Sequence, residues 1–170
     1  METLQIFKII VCTAVLVFAV IQDLKTAKIK NPIFVMGLSI GLILALIDAG
    51  WSGLLVSLIS IMAAFAFGLP LYLMKMFTGG DFKLLMAVSA FLTWQKAIVT
   101  VGASLVWGAL FGLFVILLKG RLKTAAANIN LVLLTRKSLE SDQATKIPFS
   151  VALAFGYASS FWSEQFWSML

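Results

Sequence analysis

FTGGDFKLL, residues 77–85, sets a carboxylate, Asp81, between a glycine pair and a lysine, with long apolar runs on either side. A charge at the mouth of an apolar segment takes its meaning from what surrounds it. The chain has 170 residues, 62% hydrophobic and 12% charged, with a mean hydropathy of +1.07. Soluble domains are about half apolar and about a quarter charged. A water-soluble fold of this length cannot hide that much apolar surface, so part of the solvent must be lipid.

Outward from Asp81, six apolar stretches can be marked, at roughly 5–22, 32–48, 52–74, 82–94, 97–118 and 147–168. Each is long enough, or nearly so, to cross a bilayer as a helix, and the fourth, which Asp81 opens, is the shortest. The expected fold is an all-α membrane protein, a bundle of six transmembrane helices forming one domain over 1–170. The first stretch has the outline of a signal peptide, with Lys8 ahead of an apolar core. No small-x-small cleavage site follows it, and the chain runs straight on into DLKTAKIKNP, residues 23–32, so it reads as a membrane helix.

The net charge of +6 follows the membrane rather than nucleic acid, because the basic residues lie between the apolar runs. Lys25, Lys28 and Lys30 follow the first run, Lys75 and Lys83 flank the turn after the third, and six lysines and arginines fill the connection 119–146. The alternate connections are nearly bare, with Lys96 in one of them and Lys8 near the N-terminus as a dissenting charge. The positive-inside rule then places connections one, three and five in the cytoplasm and both termini outside. Trp51, Trp94, Trp162 and Trp167 fall near the predicted outer ends, as an aromatic belt requires. The pairs Gly37/Gly41 and Gly108/Gly112 read as ordinary close helix packing, and Pro70 is expected to kink the third helix. ANINLVLLTRKSLE, within 119–146, is either an amphipathic surface helix or a solvated loop with a basic fringe.

Chemistry is bounded by what is missing. There is one cysteine, Cys12, and no histidine. That excludes disulfide frameworks, cysteine zinc sites and the Ser-His and Cys-His nucleophile pairs. Carboxylates, lysines or hydroxyls must do any chemistry, with no metal and no cofactor expected. Seven acids are available, and Glu2, Asp48, Glu140, Asp142 and Glu164 lie at a terminus, in the outer turn or in the polar loop. Asp23 closes the first run and Asp81 opens the fourth, both at the cytoplasmic level by the topology above. Two readings compete. Each can be a helix-end charge, Asp81 capping its helix, or the two can face each other as a functional pair. A close pair shares one proton, so its ionised member can take a proton from water while its protonated member polarises a carbonyl. Gly79 and Gly80 would let a substrate strand approach the backbone, or let the chain turn sharply at the helix start.

At this point three stretches resemble those of type IV prepilin peptidases. DLKTAKIKNP resembles the segment after that family's first helix, GGDFKLL resembles its second-aspartate motif, G-x-G-D, and KIPFSVALAFG at 146–156 resembles the opening of its last helix. The resemblance implies an intramembrane aspartic endopeptidase that removes basic leaders from type IV pilin-like precursors at the cytoplasmic face of the plasma membrane. Asp23 and Asp81 would be its catalytic residues, supported by Gly79, Gly80 and Lys83. Lys83 and Lys25 read as interface anchors that snorkel to headgroups, or, for Lys83, as a charge that biases which aspartate stays ionised. Thr78 departs from the first glycine of the motif, and Lys30 stands where the family commonly has proline. The paired CxxC extension of larger, methylating members is not seen, so the expectation is a peptidase-only enzyme without N-methyltransferase activity. Two other classes stay open: a proton- or cation-coupled transporter subunit using the two aspartates, and a non-catalytic secretion-system scaffold.

Overall fold

The computed structural model describes residues 2–26, 31–74, 77–118 and 149–167. These form five helices and, among the described residues, no strand: α1 (Glu2–Thr26), α2 (Asn31–Leu73), α3 (Gly79–Ser89), α4 (Trp94–Leu118) and α5 (Phe149–Trp167). Apolar runs in lipid must satisfy their own backbone groups, and a helix does so within one segment. α1 from Thr3, α2 and α4 are each long and apolar enough to cross a membrane. The basic connection 119–146, with its candidate amphipathic helix, lies outside the described residues, as do Lys28, Lys30 and Lys75.

α2 contains both the second and the third predicted runs. Its 43 residues would measure about 65 Å if straight, roughly twice a hydrocarbon core. It does not run straight. Ala49 (φ −135°, ψ 21°) and Gly50 (φ 58°, ψ −138°) leave helical geometry, and the positive φ of Gly50 is a conformation that glycine adopts without steric cost. Both arms then lie along α3. Gly37 meets Ala87 and Gly41 meets Ala90, so the first arm ascends α3. Ser57 Oγ donates to the Ala90 carbonyl at 2.7 Å, and Gly68 meets Phe82 and Leu85, so the second arm descends it. α2 therefore turns back on itself at 49–50. The kink expected at Pro70 is not a break: only Ala49 and Gly50 leave helical dihedrals, and Met74 N–H still reaches the Pro70 carbonyl at 2.9 Å. Pro70 lies in the last turn, so the one bond it removes, to the Ala66 carbonyl, falls close to the helix end.

The fourth run ends sooner than expected. α3 stops at Ser89, the Phe91 and Leu92 N–H groups bond to the carbonyls three residues back, and α4 begins at Trp94 instead of 97. The turn was hidden because Ala90 and Leu92 are themselves apolar and buried. α5 packs chiefly on α4, where Gly156 presses against Ser104 and the Thr100 carbonyl, and Gly108 meets Phe149 and Ala152 at ordinary distances. Cys12, Leu16, Leu84, Leu85, Val88 and Leu153 fill the centre.

The two ends of the bundle differ. One gathers the end of α1 and the starts of α2, α3 and α5. The other holds the fold-back of α2, the exposed Trp51, Trp94 and Trp162, and an ion pair, Lys8 Nζ to Asp48 Oδ2 at 2.7 Å. That pair accounts for the dissenting Lys8, whose charge Asp48 balances locally.

The contact of Gly41 with α3 is testable. A Cβ there would lie 2.7 Å from Ala90 Cβ, so Gly41→Val should cost about 1–3 kcal/mol through overpacking. Gly102→Ala adds a methyl that meets nothing within 4 Å and should be neutral or gain up to about 1 kcal/mol in helix propensity. Thermal unfolding in detergent should separate the two, and equal midpoints would mean that α2 and α3 do not touch at Gly41.

Candidate active site

Asp81 owes its place to the start of α3. Thr78 is the N-cap, with extended dihedrals (φ −79°, ψ 161°), and Asp81 is the third helical residue. The Thr78 hydroxyl donates to Asp81 Oδ2 at 2.7 Å, the Thr78 N–H donates to the same oxygen at 3.0 Å, and the Asp81 N–H points back at Thr78 Oγ1 at 3.4 Å. This is a reciprocal capping box, which satisfies donors that the helix start would otherwise orphan. The cap is thus Thr78, not Asp81 as the capping reading of the sequence had it. Both side-chain hydrogen bonds fall on Oδ2, leaving Oδ1 without a donor among the described residues.

Neighbouring aromatics fix that first turn. The Phe82 ring lies against Gly68, where a Cβ would come within 2.9 Å of it, and it stacks on Tyr72 with Phe65 tilted against it. Phe77, just before the cap, packs on Phe149 at 4.4 Å between ring centroids. Asp81 is only 5% exposed in this setting. Gly79 is helical, and a Cβ there would meet only the Tyr72 ring, at 3.9 Å. Neither Gly79 nor Gly80 has positive φ, so no turn there depends on glycine.

Asp23 stands half-buried in the last turn of α1, and its Oδ2 accepts the Ser150 hydroxyl at 2.6 Å. Ser150 is fully buried in the first turn of α5, next to Phe149. The Phe77–Phe149 contact and the Ser150–Asp23 bond therefore tie α1, α3 and α5 together at one end. Lys25 is exposed beside Asp23, while Lys83 Nζ turns away to Asn31 Oδ1 at 2.9 Å.

Asp81 precedes the apolar part of α3, at the rim of the bundle. Burial pushes its carboxyl above the ordinary aspartate value, the two Thr78 hydrogen bonds pull it down, and the charge of Asp23 pushes it up again. The structure thus places Asp23 and Asp81 at the same end of the bundle, tied through Ser150, Phe149 and Phe77, with Gly79 and Gly80 at the start of α3 and Lys83 turned to Asn31. It adds Thr78 and Ser150. Among the described residues no three His, Cys, Asp or Glu side chains cluster as a metal site would require.

A profile of the type IV leader peptidase family matches residues 10–113, a span that includes both aspartates. The chain belongs to the type IV leader peptidase family. Searches of curated proteins and of solved structures returned no match. Membership makes the chain peptidase-like, and its long apolar helices fit a membrane protein whose relatives act on pilin precursors. Ser150 and the stretch 146–156 fall beyond the matched residues.

The charge balance at Asp81 can be read directly. A hydrogen bond donated to a carboxylate favours its ionised form. Thr78→Val removes the hydroxyl and should move Asp81 titration further upward. Asp23→Asn removes a neighbouring negative charge and should move it downward. Infrared titration of the carboxyl band, assigned with Asp81→Asn, measures both. Shifts of the opposite sign would mean that Thr78 and Asp23 do not control Asp81.

Proposed function

We propose that this protein is an intramembrane aspartic endopeptidase that cuts the basic leader from type IV pilin-like precursors, with Asp23 and Asp81 as its catalytic pair. The observation that carries this reading is a buried, Thr78-capped Asp81 at the same end of the bundle where Ser150 holds Asp23, in a leader peptidase family member. Six crossings follow if α1, both arms of α2, α3, α4 and α5 each traverse the membrane. The aspartates then lie at the cytoplasmic end, facing the lysine- and arginine-rich connections, with both termini outside.

The substrate peptide must be extended at the scissile bond, because a helix hides its carbonyls in its own hydrogen bonds. In this scheme the shared proton rests on Asp81, whose carboxyl burial pushes up against the pull of its two Thr78 hydrogen bonds. Asp23, oriented by Ser150, is then the ionised member. It takes a proton from water as the water oxygen attacks the carbonyl carbon, while Asp81 gives its proton to the carbonyl oxygen. The tetrahedral adduct collapses when the C–N bond breaks. Asp23 hands its proton to the leaving amine, and a hydroxyl of the adduct returns one to Asp81, restoring the pair. Gly79, with open space at its Cα, gives an extended strand room to approach.

Asp23→Asn and Asp81→Asn should each lower leader cleavage by at least the ~10²–10⁴ that general acid–base catalysis supplies, in protein that remains folded in the membrane. Asp48→Asn should keep cleavage, losing only its ion pair with Lys8. Full cleavage by either catalytic variant at normal expression would leave the carboxylates as helix-end groups and end the peptidase assignment.

The pH profile should have two limbs. Activity falls in acid as both carboxyls take a proton, and falls in base as the pair loses its shared one. The basic limb lies above the ordinary aspartate value of about 4, since the Asp81 carboxyl is raised. Cysteine labelling tests orientation: Ser138→Cys should react from the cytoplasm and Ser52→Cys from outside, and the reverse pattern would invert the topology.

A further inference from the structure

A groove of about 520 Å³ runs between α1 and α5, on the face of α5 that α4 does not cover. On α1 its wall runs from Ile9 through Thr13, Val17 and Val20 to Ile21, about 18 Å of helix. On α5 the wall includes Val151, Ala154 and Ala158. It is open sideways, with Val17, Phe155 and Ile21 roughly half exposed. Its lining offers an occupant almost nothing polar, for the Thr13 hydroxyl is already bonded to the Ile9 carbonyl at 2.8 Å.

The two walls lead to one place. Residues three or four apart share a helix face, so Ile9, Thr13, Leu16 and Val20 make a stripe on α1 whose next member is Asp23. On α5, Ala158 and Ala154 lead by the same spacing to Ser150. Asp23 and Ser150 are hydrogen-bonded at 2.6 Å. Both walls of the apolar groove therefore point along their helices toward the Asp23–Ser150 contact.

We propose that this groove seats the apolar helix of the pilin-like precursor, the segment that follows its leader. The inference rests on the peptidase reading above and assigns the substrate's path, which that reading leaves open. Ala154 and Ala158, four apart, let another helix backbone come close in lipid. A helix lying along Ile9–Ile21 brings the residue at its cytoplasmic end to Asp23, where the chain must already be extended. The leader then projects past the rim toward the basic connections' side of the membrane.

Site-specific crosslinking with the full chain in proteoliposomes tests this. A type IV pilin-like precursor carrying one photoreactive residue in the middle of its apolar helix is the probe, and Asp81→Asn protein prevents turnover. Adducts should map to Val17 and Ala154, and not to Val106, an exposed residue on α4 away from the groove. In the catalytically intact protein, Ala158→Trp should lower precursor cleavage at least tenfold, and Val106→Trp should leave it unchanged.

The outcomes separate the two ideas. Cleavage by the wild type with adducts on α4, or with Ala158→Trp fully active, overturns the groove and spares the peptidase. Adducts in the groove without any cleavage by the wild type support the docking path and overturn the peptidase. If a photoreactive lipid labels Val17 and Ala154 and excess precursor does not displace it, the groove is a lipid site and the proposal fails. Should Ala158→Trp not fold, the crosslinking map alone decides.

Discussion

The hydrogen bonds between Thr78 and Asp81 are the constraint on which the candidate site depends. A carboxylate withdrawn from water is unfavourable unless donors replace its hydration. Thr78 supplies two, from hydroxyl and backbone, and both reach Oδ2. The same contacts satisfy the start of α3, so one local motif begins the helix and tolerates its buried acid. An N-cap of this kind is worth on the order of 1 kcal/mol to a helix. For an 11-residue helix, too short to be stable by itself, the rest must come from packing. That packing is the Phe82 ring against Gly68 and the apolar face of α3 between the two arms of α2.

The two aspartates have unlike surroundings. Asp81 is buried with two donors from one residue, whereas Asp23 is half-buried and holds one hydroxyl from a different helix. Pairs of titratable groups pushed apart by their environments are the usual basis for dividing acid and base roles. At Asp81 burial disfavours the charged form while the two Thr78 donors favour it, a balance that Asp23 does not share. Ser150 then matters doubly, because it orients Asp23 and is carried by α5, whose first residue packs on Phe77 ahead of the cap. A shift of α5 would disturb both carboxylates together.

Much of this was legible in the sequence, and the gaps have physical causes. The apolar runs, the two acids at one level and the glycines before Asp81 show in composition and spacing, because lipid imposes strong patterns on a chain. The fold-back of α2 was visible as two runs parted by IDAGWSG, but the helix boundaries at 90–93 were not, since an apolar turn carries no compositional mark. Thr78 was seen only as a departure from a motif. Its T-x-x-D spacing to Asp81 did offer a capping signal. Ser150 had no such signal, being 127 positions from Asp23, and neither did the Lys8–Asp48 pair across 40 positions. Such contacts are made by tertiary structure, which no local window contains. Gly156, packed on α4 more closely than Gly37, Gly41 or Gly108 is on its own neighbours, escaped notice for the same reason.

The uneven packing of α5 links these observations to function. One face is pressed against α4 by Gly156, with Trp107 Nε1 donating to Ser159 Oγ at 3.0 Å. The opposite side meets α1 near the rim, through Ser150 and Asp23, and again at the centre, where Leu153 and Tyr157 share the core with Cys12 and Leu16, and the groove opens beside these contacts. A helix held in this way can keep its first turn in register while its open flank takes the partner proposed above. If both faces were closed, the aspartates would be equally well placed and unreachable from the bilayer. If both were loose, the Ser150 hydroxyl could not hold Asp23 in place. In the peptidase reading proposed above, access from lipid and a fixed carboxylate pair are opposing demands, and α5 would meet them with different faces.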